Sequence, residues 1–595
     1  MTTDRPVAHV RIVGLHRRLV DADAGPTPSL GGYGDALAQA PYSLAAAYLK
    51  AAGDATPEIQ RDCRIEIFDL VDDSLPADTE APHEEFRLSE RHVEQLAAGD
   101  PDAVCFSAYC WNVDAILEAC ARLKQRRPET LTVVGGRAVE DMAPALLRDH
   151  ATLDHVVGGE AERSFVELLG RWRATGLPLA HDLPPGVFGR SPSGDVVSGP
   201  PAELVADLDT IPSPYLAGIV QPAPEGMMLE LSRGCLNRCG YCAWNSAKTR
   251  RAFSQARLVD ELRWALRNEV RHVTLIDSAI NYEQSTLERF VAAAEAADPG
   301  RELRYTYNLR HELLTPAQVE LLGRLRAQQV LLGMESLSEG AMRQSDREPL
   351  DRGRFQAALR LLRRLAPDPA ASPPTVVGVV LGLPGDTLDG FQRTMDYLGE
   401  LAAEPAGSPI GAVLVSLLQV FPGTTLWRRR AELGIRVPGR GIPYVLEVGT
   451  FPRIDLQRAL SYLNKLRVCR PLFVKRPEGA YTLHDPRAPG PADDLRRLVA
   501  PRVPGAFRAG WMLRALTPLL DGDGVAVLTF GRHTGEAVVC VRLDRRNAAS
   551  PCFAHTSRFN VYYQGDVPRP LRGPGLDALM REVVGLLRRN EGTWG

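Results

Sequence analysis

Short apolar runs alternate with amphipathic stripes through most of this 595-residue chain, and that alternation constrains the fold more than any single residue does. Five strand-like runs come first: His9–Leu15, Ile65–Leu70, Ala103–Ala108, Leu131–Gly135 and His155–Gly158. Helical spacing appears between and after them at Ser43–Ala51, Val113–Arg126, Ala143–Arg148 and Ala161–Arg171. Short β-runs separated by helices predict a doubly wound (Rossmann-like) parallel sheet over residues 1–175. Ligands of such sheets sit beyond the carboxyl ends of the strands. The loops expected there are rich in small residues: Gly31, Gly32 and Gly34; Ser107-Ala108-Tyr109; Gly135-Gly136; Gly158-Gly159-Glu160. The first group fails the dinucleotide spacing and is a weak signal alone.

Residues 176–224 are dense in proline and predict an extended linker, with Leu208–Tyr215 anchored by its apolar side chains. Strand and helix then repeat six times between 225 and 445, from Met227–Leu231 through His272–Asp277, Arg304–Leu309, Gln329–Met334 and Val376–Leu383 to Val413–Val420. Parallel βα repeats of this number predict a (β/α)6 partial TIM barrel with its chemistry at the carboxyl ends of the strands. Residues 446–595 predict a small α+β domain that caps the barrel or stabilises the chain. It has helices at Leu456–Val468 and Leu576–Arg589 and a meander through Val525–Phe530, Glu536–Leu543 and Arg558–Tyr563. Tyr562, Tyr563 and His533 are its candidate substrate contacts.

Directly after the first barrel strand stands the sequence LELSRGCLNRCGYCAW, with Cys235, Cys239 and Cys242 spaced C-x3-C-x2-C. Thiolates are soft ligands suited to iron–sulfur clusters, and a four-iron cube normally takes four of them. Three local cysteines would hold three irons and leave the fourth open, which is what a catalytic site needs. Gly234 and Gly240 give the loop freedom to wrap a cluster. A zinc knuckle or three ordinary thiols are the rival readings. Zinc lacks a nearby fourth ligand, since the next histidine is His272. Cys63, Cys105, Cys110 and Cys120 show no cluster spacing and read as buried small hydrophobes. Cys469, Cys540 and Cys552 are equally uninformative.

A formal net charge of −3 leaves no electrostatic footprint for nucleic acid. No run of about 18 apolar residues is present to span a membrane. The sequence MTTDRPVAHVRIVG has no secretory apolar core. An oxidation-sensitive cluster asks for a reducing compartment, so a cytoplasmic location is expected.

The three-cysteine motif, with Tyr241 before its last cysteine, resembles the signature of the radical S-adenosylmethionine (SAM) superfamily. CFSAYCWN, VVGGRAVE and DHVVGGEAE together resemble the cobalamin-binding domain of the B12-dependent branch of that superfamily. GMES, GLPGDT and FPGT resemble its SAM-contacting and barrel-closing segments, and the likeness covers roughly residues 5–435. This resemblance implies a 4Fe–4S cluster on Cys235, Cys239 and Cys242. It implies SAM near Tyr241, Asp277, Arg310, Glu335, Ser336 and Gly382. It also implies cobalamin near Ser107, Tyr109, Gly135, Gly136, Gly158 and Glu160. The D-x-H-x-x-G motif for a lower axial histidine is missing. The lower face of the corrin is therefore unassigned; His16 is a candidate, set against a solvated or core-edge histidine. No residue is assigned a catalytic role.

By the same resemblance, the activity is that of a class B radical SAM C-methyltransferase. It would move a methyl group from SAM through methylcobalamin to a carbon of a small metabolite or peptide in secondary metabolism. The implied partners are that substrate and an external electron donor such as a flavodoxin or ferredoxin, with no nucleic acid and no membrane. Two alternatives stay open: a B12 radical SAM cyclase or rearrangement enzyme without methyl transfer, and a cobalamin-binding sensor whose cluster is structural.

Overall fold

The computed structural model describes residues 6–17, 42–72, 86, 88–176, 178–223, 226–244, 249–366, 375–402, 409–439, 441, 443–456 and 459, and five strands between 511 and 566. It is a mixed α/β structure. Its first sheet has the order β2-β1-β3-β4-β5-β6-β7, where β1 is Ala8–Arg17, β2 Cys63–Asp72, β3 Ala103–Ser107, β4 Leu131–Gly135, β5 His155–Val157, β6 Val187–Arg190 and β7 Val196–Ser198. The first five strands are parallel. Strand β1 lies between β2 and β3, so the chain reverses direction across the sheet there, and the crevice of a doubly wound sheet opens at that point.

Alternation along the strands supplies both faces of this sheet. Val10, Ile12, Cys105 and Val133 point into one core, against the helices α1 (Leu44–Asp54), α2 (Pro57–Asp62) and α6 (Ala161–Thr175). Val13, Leu15, Phe106 and Val134 enter the other, against α3 (Glu90–Ala97), α4 (Val113–Arg126) and α5 (Ala143–Asp149). Helix α1 starts where Ser43 accepts a hydrogen bond from the Ala46 N–H at 3.3 Å, and α6 stops at Gly176, whose φ of +76° closes the helix in the left-handed region.

The stretch expected as an extended linker carries secondary structure of its own. Residues 187–198 form a hairpin, β6 and β7, that adds two antiparallel strands to the sheet beyond β5. Val187 and Gly189 turn inward while Phe188 and Arg190 are less covered, and the Ser191–Asp195 turn closes the pair. The period-2 pattern is only four residues long in β6, too short to stand out among prolines. Further on, Leu208, Ile211 and Tyr215 are buried in the same core as Leu44, Tyr48 and the second sheet.

That second sheet has six parallel strands in the order β15-β14-β13-β12-β11-β8, which is sequence order throughout. Strand β8 is Met227–Leu229; a two-residue pair, β9 (Ser232–Arg233) with β10 (Arg251–Ala252), stands beside it. Then follow α7 (Gln255–Arg267), β11 (His272–Leu275), α8 (Gln284–Ala297), β12 (Arg304–Leu309), α9 (Pro316–Leu322), β13 (Ala327–Glu335), α10 (Glu339–Gln344), α11 (Arg352–Leu362), β14 (Thr375–Leu381), α12 (Leu388–Ala402) and β15 (Ala412–Leu417). Val273, Tyr305, Tyr307, Val330 and Val377 are buried among the helices. The alternate residues Thr274, Thr306, Asn308, Leu331 and Gly378 are less covered and mark the inner side of the sheet.

The five remaining strands, β16–β20 (Trp511–Leu520, Val525–Arg532, Val538–Asp544, Pro551–Thr556 and Tyr563–Asp566), form an antiparallel meander. The strand expected at Arg558–Tyr563 lies outside the described residues except for Tyr563, which begins β20, and β19 precedes it at Pro551–Thr556. The helices expected at 456–468 and 576–589 lie almost wholly outside the described residues, as do His533, Tyr562, Cys469 and the loop carrying Gly31, Gly32 and Gly34.

Candidate functional site

The cysteine loop leaves β8 and is fixed to its surroundings at every turn. Asp277, just beyond β11, is fully buried and accepts the Leu231 N–H at 2.8 Å and the Ser232 hydroxyl at 2.5 Å. Arg250 donates to the same Ser232 hydroxyl at 2.5 Å and to the Ala279 carbonyl at 2.9 Å. Gly234 then turns the chain with φ +100°, a conformation only glycine adopts without strain. Gly240 donates its N–H to the Ser345 carbonyl at 2.8 Å, and its own carbonyl accepts the Leu426 N–H at 2.9 Å. Segments from the ends of β13 and β15 therefore clamp a loop that starts at β8. Cys235 and Cys239 are buried, Cys242 is partly exposed, and the Cys242 N–H closes a turn on the Cys239 carbonyl at 3.0 Å.

This donor set fits an iron–sulfur cluster. Burial pushes the Cys242 thiol up to about 12, with the neighbouring Cys239 and Cys235 sulfurs raising it further. A cationic metal group beside the Cys242 sulfur would favour the thiolate form that binds iron. Among the described residues no three His, Cys, Asp or Glu side chains converge as ligands of a single ion. A four-iron cube makes no such demand, because each thiolate meets its own iron.

The residues implied for SAM lie around this loop, with partners of their own. Glu335 ends β13 at a register shift with φ +67°, an uncommon value for a residue with a side chain, and its carboxylate meets Arg347 at 2.8 Å. Arg347 also donates to the Tyr241 hydroxyl at 3.2 Å and pairs with Glu312 at 3.3 Å, while Arg310 pairs with Glu312 at 2.7 Å. Tyr241, Glu335, Arg347, Glu312 and Arg310 are thus one connected network. Burial raises the Tyr241 hydroxyl, and the Glu335 charge raises it further. For Glu312, burial opposes ionisation, but the Arg310 and Arg347 guanidiniums hold its carboxyl below the ordinary range.

Ser336 donates to Asp386 at 2.8 Å, which ties the end of β13 to the turn after β14. Gly382 has φ +90°, and a Cβ there would stand 2.9 Å from Val445 and 3.1 Å from Leu456. Its lack of a side chain admits residues of its own chain. Both carboxylate oxygens of Asp277 serve the loop backbone and Ser232, and burial pushes this carboxyl up to about 6. The sequence reading missed Arg347, Glu312, Arg250, Asn237 and Tyr282. Tyr282 stands 3.4 Å from the Cys235 sulfur. Asn237 lies inside the cysteine motif and Glu312 in a short helical turn, His311–Leu313, while Arg347, Arg250 and Tyr282 come from loops and carry no local motif.

Five of the six residues implied for cobalamin line a cavity of about 350 Å³. Ser107 and Tyr109 after β3, Gly135 and Gly136 at the end of β4, and Glu160 after β5 form one wall, with Tyr48 and Leu44 of α1 beside them. Glu230, Arg233, Trp244 and Ile276, from the cysteine loop and the end of β11, form the opposite wall. Gly158 is not in the lining; Gly159 is. Tyr109 stacks on Trp111 at 4.5 Å between centroids and is held by Asn112, whose amide oxygen accepts the Tyr109 N–H at 2.7 Å. A Cβ on Gly136 would lie 2.5 Å from the Ala108 carbonyl oxygen, and φ is +121° there. That glycine is required by the crossing of two backbone turns, whatever the cavity holds. His16 is the next-to-last residue of β1, and its side chain lies outside the described residues.

Ion pairs join the two walls. Glu160 receives two contacts from Arg251, at 2.5 and 2.8 Å, and the Val205 N–H at 3.1 Å. Burial raises its carboxyl, but Arg251 and the Val205 N–H together bring it below the ordinary range. Arg233 pairs with Glu162 at 2.8 Å and Glu230 at 3.0 Å, and lies 5.3 Å over the Tyr48 ring. Arg137, in the loop after β4, donates to the carbonyl of Ala243, the residue after Cys242, at 2.9 Å. The carboxyl ends of both sheets therefore face each other across one space.

Comparison with known proteins assigns two domains to the chain. Residues 43–169 match the B12 binding domain, and residues 229–398 match the radical SAM superfamily. The chain is 34% identical over 219 residues to the cobalamin-dependent radical SAM methyltransferase TokK of Streptomyces tokunonensis, a match covering 34% of this chain and 31% of that protein. It is 32% identical over 222 residues to the 2-(S-pantetheinyl)-carbapenam-3-carboxylate methyltransferase of Streptantibioticus cattleyicolor, again 34% of this chain and 31% of the relative. The matched stretch thus spans about a third of the length of these curated relatives. Among solved structures, the radical S-adenosylmethionine methyltransferase TsrM of Kitasatospora setae, with cobalamin and a 4Fe–4S cluster bound, superposes with a TM-score of 0.54. That match has 15% identity and covers 76% of this chain and 91% of TsrM, a likeness of fold.

Proposed function

We propose that this chain, which unites a B12-binding domain with a radical SAM domain, is a cobalamin-dependent C-methyltransferase acting on a small metabolite or peptide. The observation that carries the reading is the cavity shared by the two domains. Its walls are the carboxyl-end loops of the first sheet and the cysteine loop of the second. When bound, the cluster with SAM supplies a radical generator, and cobalamin supplies a methyl carrier. A substrate seated between them would meet both.

Cys235, Cys239 and Cys242 would hold three irons and leave the fourth for SAM. Gly135, Gly136, Ser107 and Tyr109 would take the corrin side. Tyr241, Glu335 and Ser336 would border SAM, with Arg347 and Asp386 holding the last two in place. The chain's own contribution is to hold the two cofactor sides in a fixed relation through Arg251–Glu160 and Arg233–Glu162, and to shield the space from water with Trp244, Tyr48 and Phe165.

An electron donor such as a flavodoxin or ferredoxin completes the scheme, in a reducing, cytoplasmic setting. Among the described residues no helix is long and apolar enough to cross a membrane. The test is turnover with SAM deuterated in its methyl group. Product should gain three mass units over the unlabelled reaction, with 5′-deoxyadenosine and S-adenosylhomocysteine formed in about equal amounts. Unlabelled product formed with deoxyadenosine alone would overturn methyl transfer and favour a rearrangement.

A further inference from the structure

The Tyr282 hydroxyl contacts two groups of the cysteine loop. Its oxygen is 3.4 Å from the Cys235 sulfur and also receives a hydrogen bond from the Asn237 side-chain amide. Asn237 is inside the C-x3-C segment, so the loop itself presents both partners. Tyr282 comes from the loop beyond β11, after Asn281, whose side chain is locked between the Arg310 N–H and carbonyl at 2.8 and 2.9 Å. Arg250 lies over the Tyr282 ring, 4.8 Å from its centroid, and is itself fixed by Ser232 and the Ala279 carbonyl.

Proton accounting fixes the direction of this contact. An amide N–H₂ only donates, so toward Asn237 the tyrosine oxygen is an acceptor. Cys235 as a metal-bound thiolate has no proton and only accepts. The single hydroxyl proton therefore points at the sulfur. A cation over the ring draws electron density from it and makes the hydroxyl a stronger donor. Hydrogen bonds to ligand sulfurs stabilise the reduced, more negative state of an iron–sulfur cluster and raise its potential.

We propose that Tyr282, oriented by Asn237 and polarised by Arg250, is a positioning residue that donates a hydrogen bond to the Cys235 thiolate and sets the reduction potential of the cluster. The inference rests on the cluster reading given above. Tyr282 needs no contact with SAM or substrate to act in this way. Its consequence is a cluster that accepts an electron more readily than the same three cysteines would without the hydroxyl.

The experiment is an anaerobic redox titration of the full chain, followed by the electron-spin signal of the reduced cluster, with iron and sulfide measured on each sample. Tyr282→Phe should keep four irons per chain and move the midpoint to a lower potential. Replacing Tyr282 alone by 3-fluorotyrosine, a stronger donor of nearly the same shape, should move it higher. The second substitution keeps the test valid if the Phe variant loads iron poorly. Midpoints equal to wild type in the fluorotyrosine protein, or in an iron-replete Phe variant, would overturn the role of Tyr282. A wild-type chain without a cluster would instead overturn the reading on which it rests.

Discussion

At the scale of single residues, the three cysteines could be singled out in the sequence because their spacing is local. The groups that hold them could not. Arg347 reaches Tyr241 across 106 positions and Tyr282 reaches Cys235 across 47, so no window of sequence contains either pair. Asp277 was singled out for SAM, and the structure gives its two oxygens to Leu231 and Ser232, a use that no spacing announces. His311 was passed over entirely. It is 3% exposed and packs edge-on to Phe355, and burial depresses its imidazole from 6.5 to about 4. A histidine held neutral in the fold and free to protonate when unfolded adds stability above about pH 6.5. That stability is lost as pH falls toward 4, and it amounts to about 3 kcal/mol over the whole window. Asp277 works in the opposite direction, because its raised pKa favours the fold as pH falls from about 6 toward 3.8. Denaturant midpoints of wild type should fall more steeply between pH 7 and pH 5 than those of His311→Gln. Parallel slopes would remove His311 from the account.

At the scale of elements, the parallel strands and most helices of both sheets follow from apolar periodicity, and β4, β12 and α4 carry the same bounds in sequence and structure. Elements that periodicity understates were lost: the hairpin β6–β7, whose second strand has three residues, and the short helices α2 and α3. Loop residues proved ambiguous for a different reason. Gly136 and Gly382 are glycine because their own chain passes close by, which looks the same in sequence as a glycine that admits a ligand. Glu160 likewise looks like a ligand contact and is engaged by Arg251, with side chains only 16% and 11% exposed. Removing one partner of such a pair strands the other charge. Glu160→Gln should therefore cost about 3 kcal/mol in thermal or denaturant unfolding, and Glu160→Gln with Arg251→Met should recover much of that loss. A double variant no more stable than the single one would show that the pair is not what joins these loops.

At the scale of the molecule, two parallel sheets point their carboxyl ends at one another, and the cavity between them collects residues from positions 12 to 276. Neither domain encloses this space alone. The sequence indicated both halves, and their apposition becomes visible only through contacts such as Arg137 with Ala243 and Arg251 with Glu160. The central claim is that the corrin occupies this cavity against the cysteine loop. Ala45, in the first turn of α1, lines the cavity, and Ala45→Phe would fill part of its roughly 350 Å³ with little change elsewhere. The direct measurement is corrin and iron per chain after anaerobic purification with cobalamin present. Wild type should hold one corrin and four irons, while Ala45→Phe, with unchanged circular dichroism, should keep its iron and lose most of its corrin. Equal corrin in the two proteins would place the cofactor elsewhere and contradict the account.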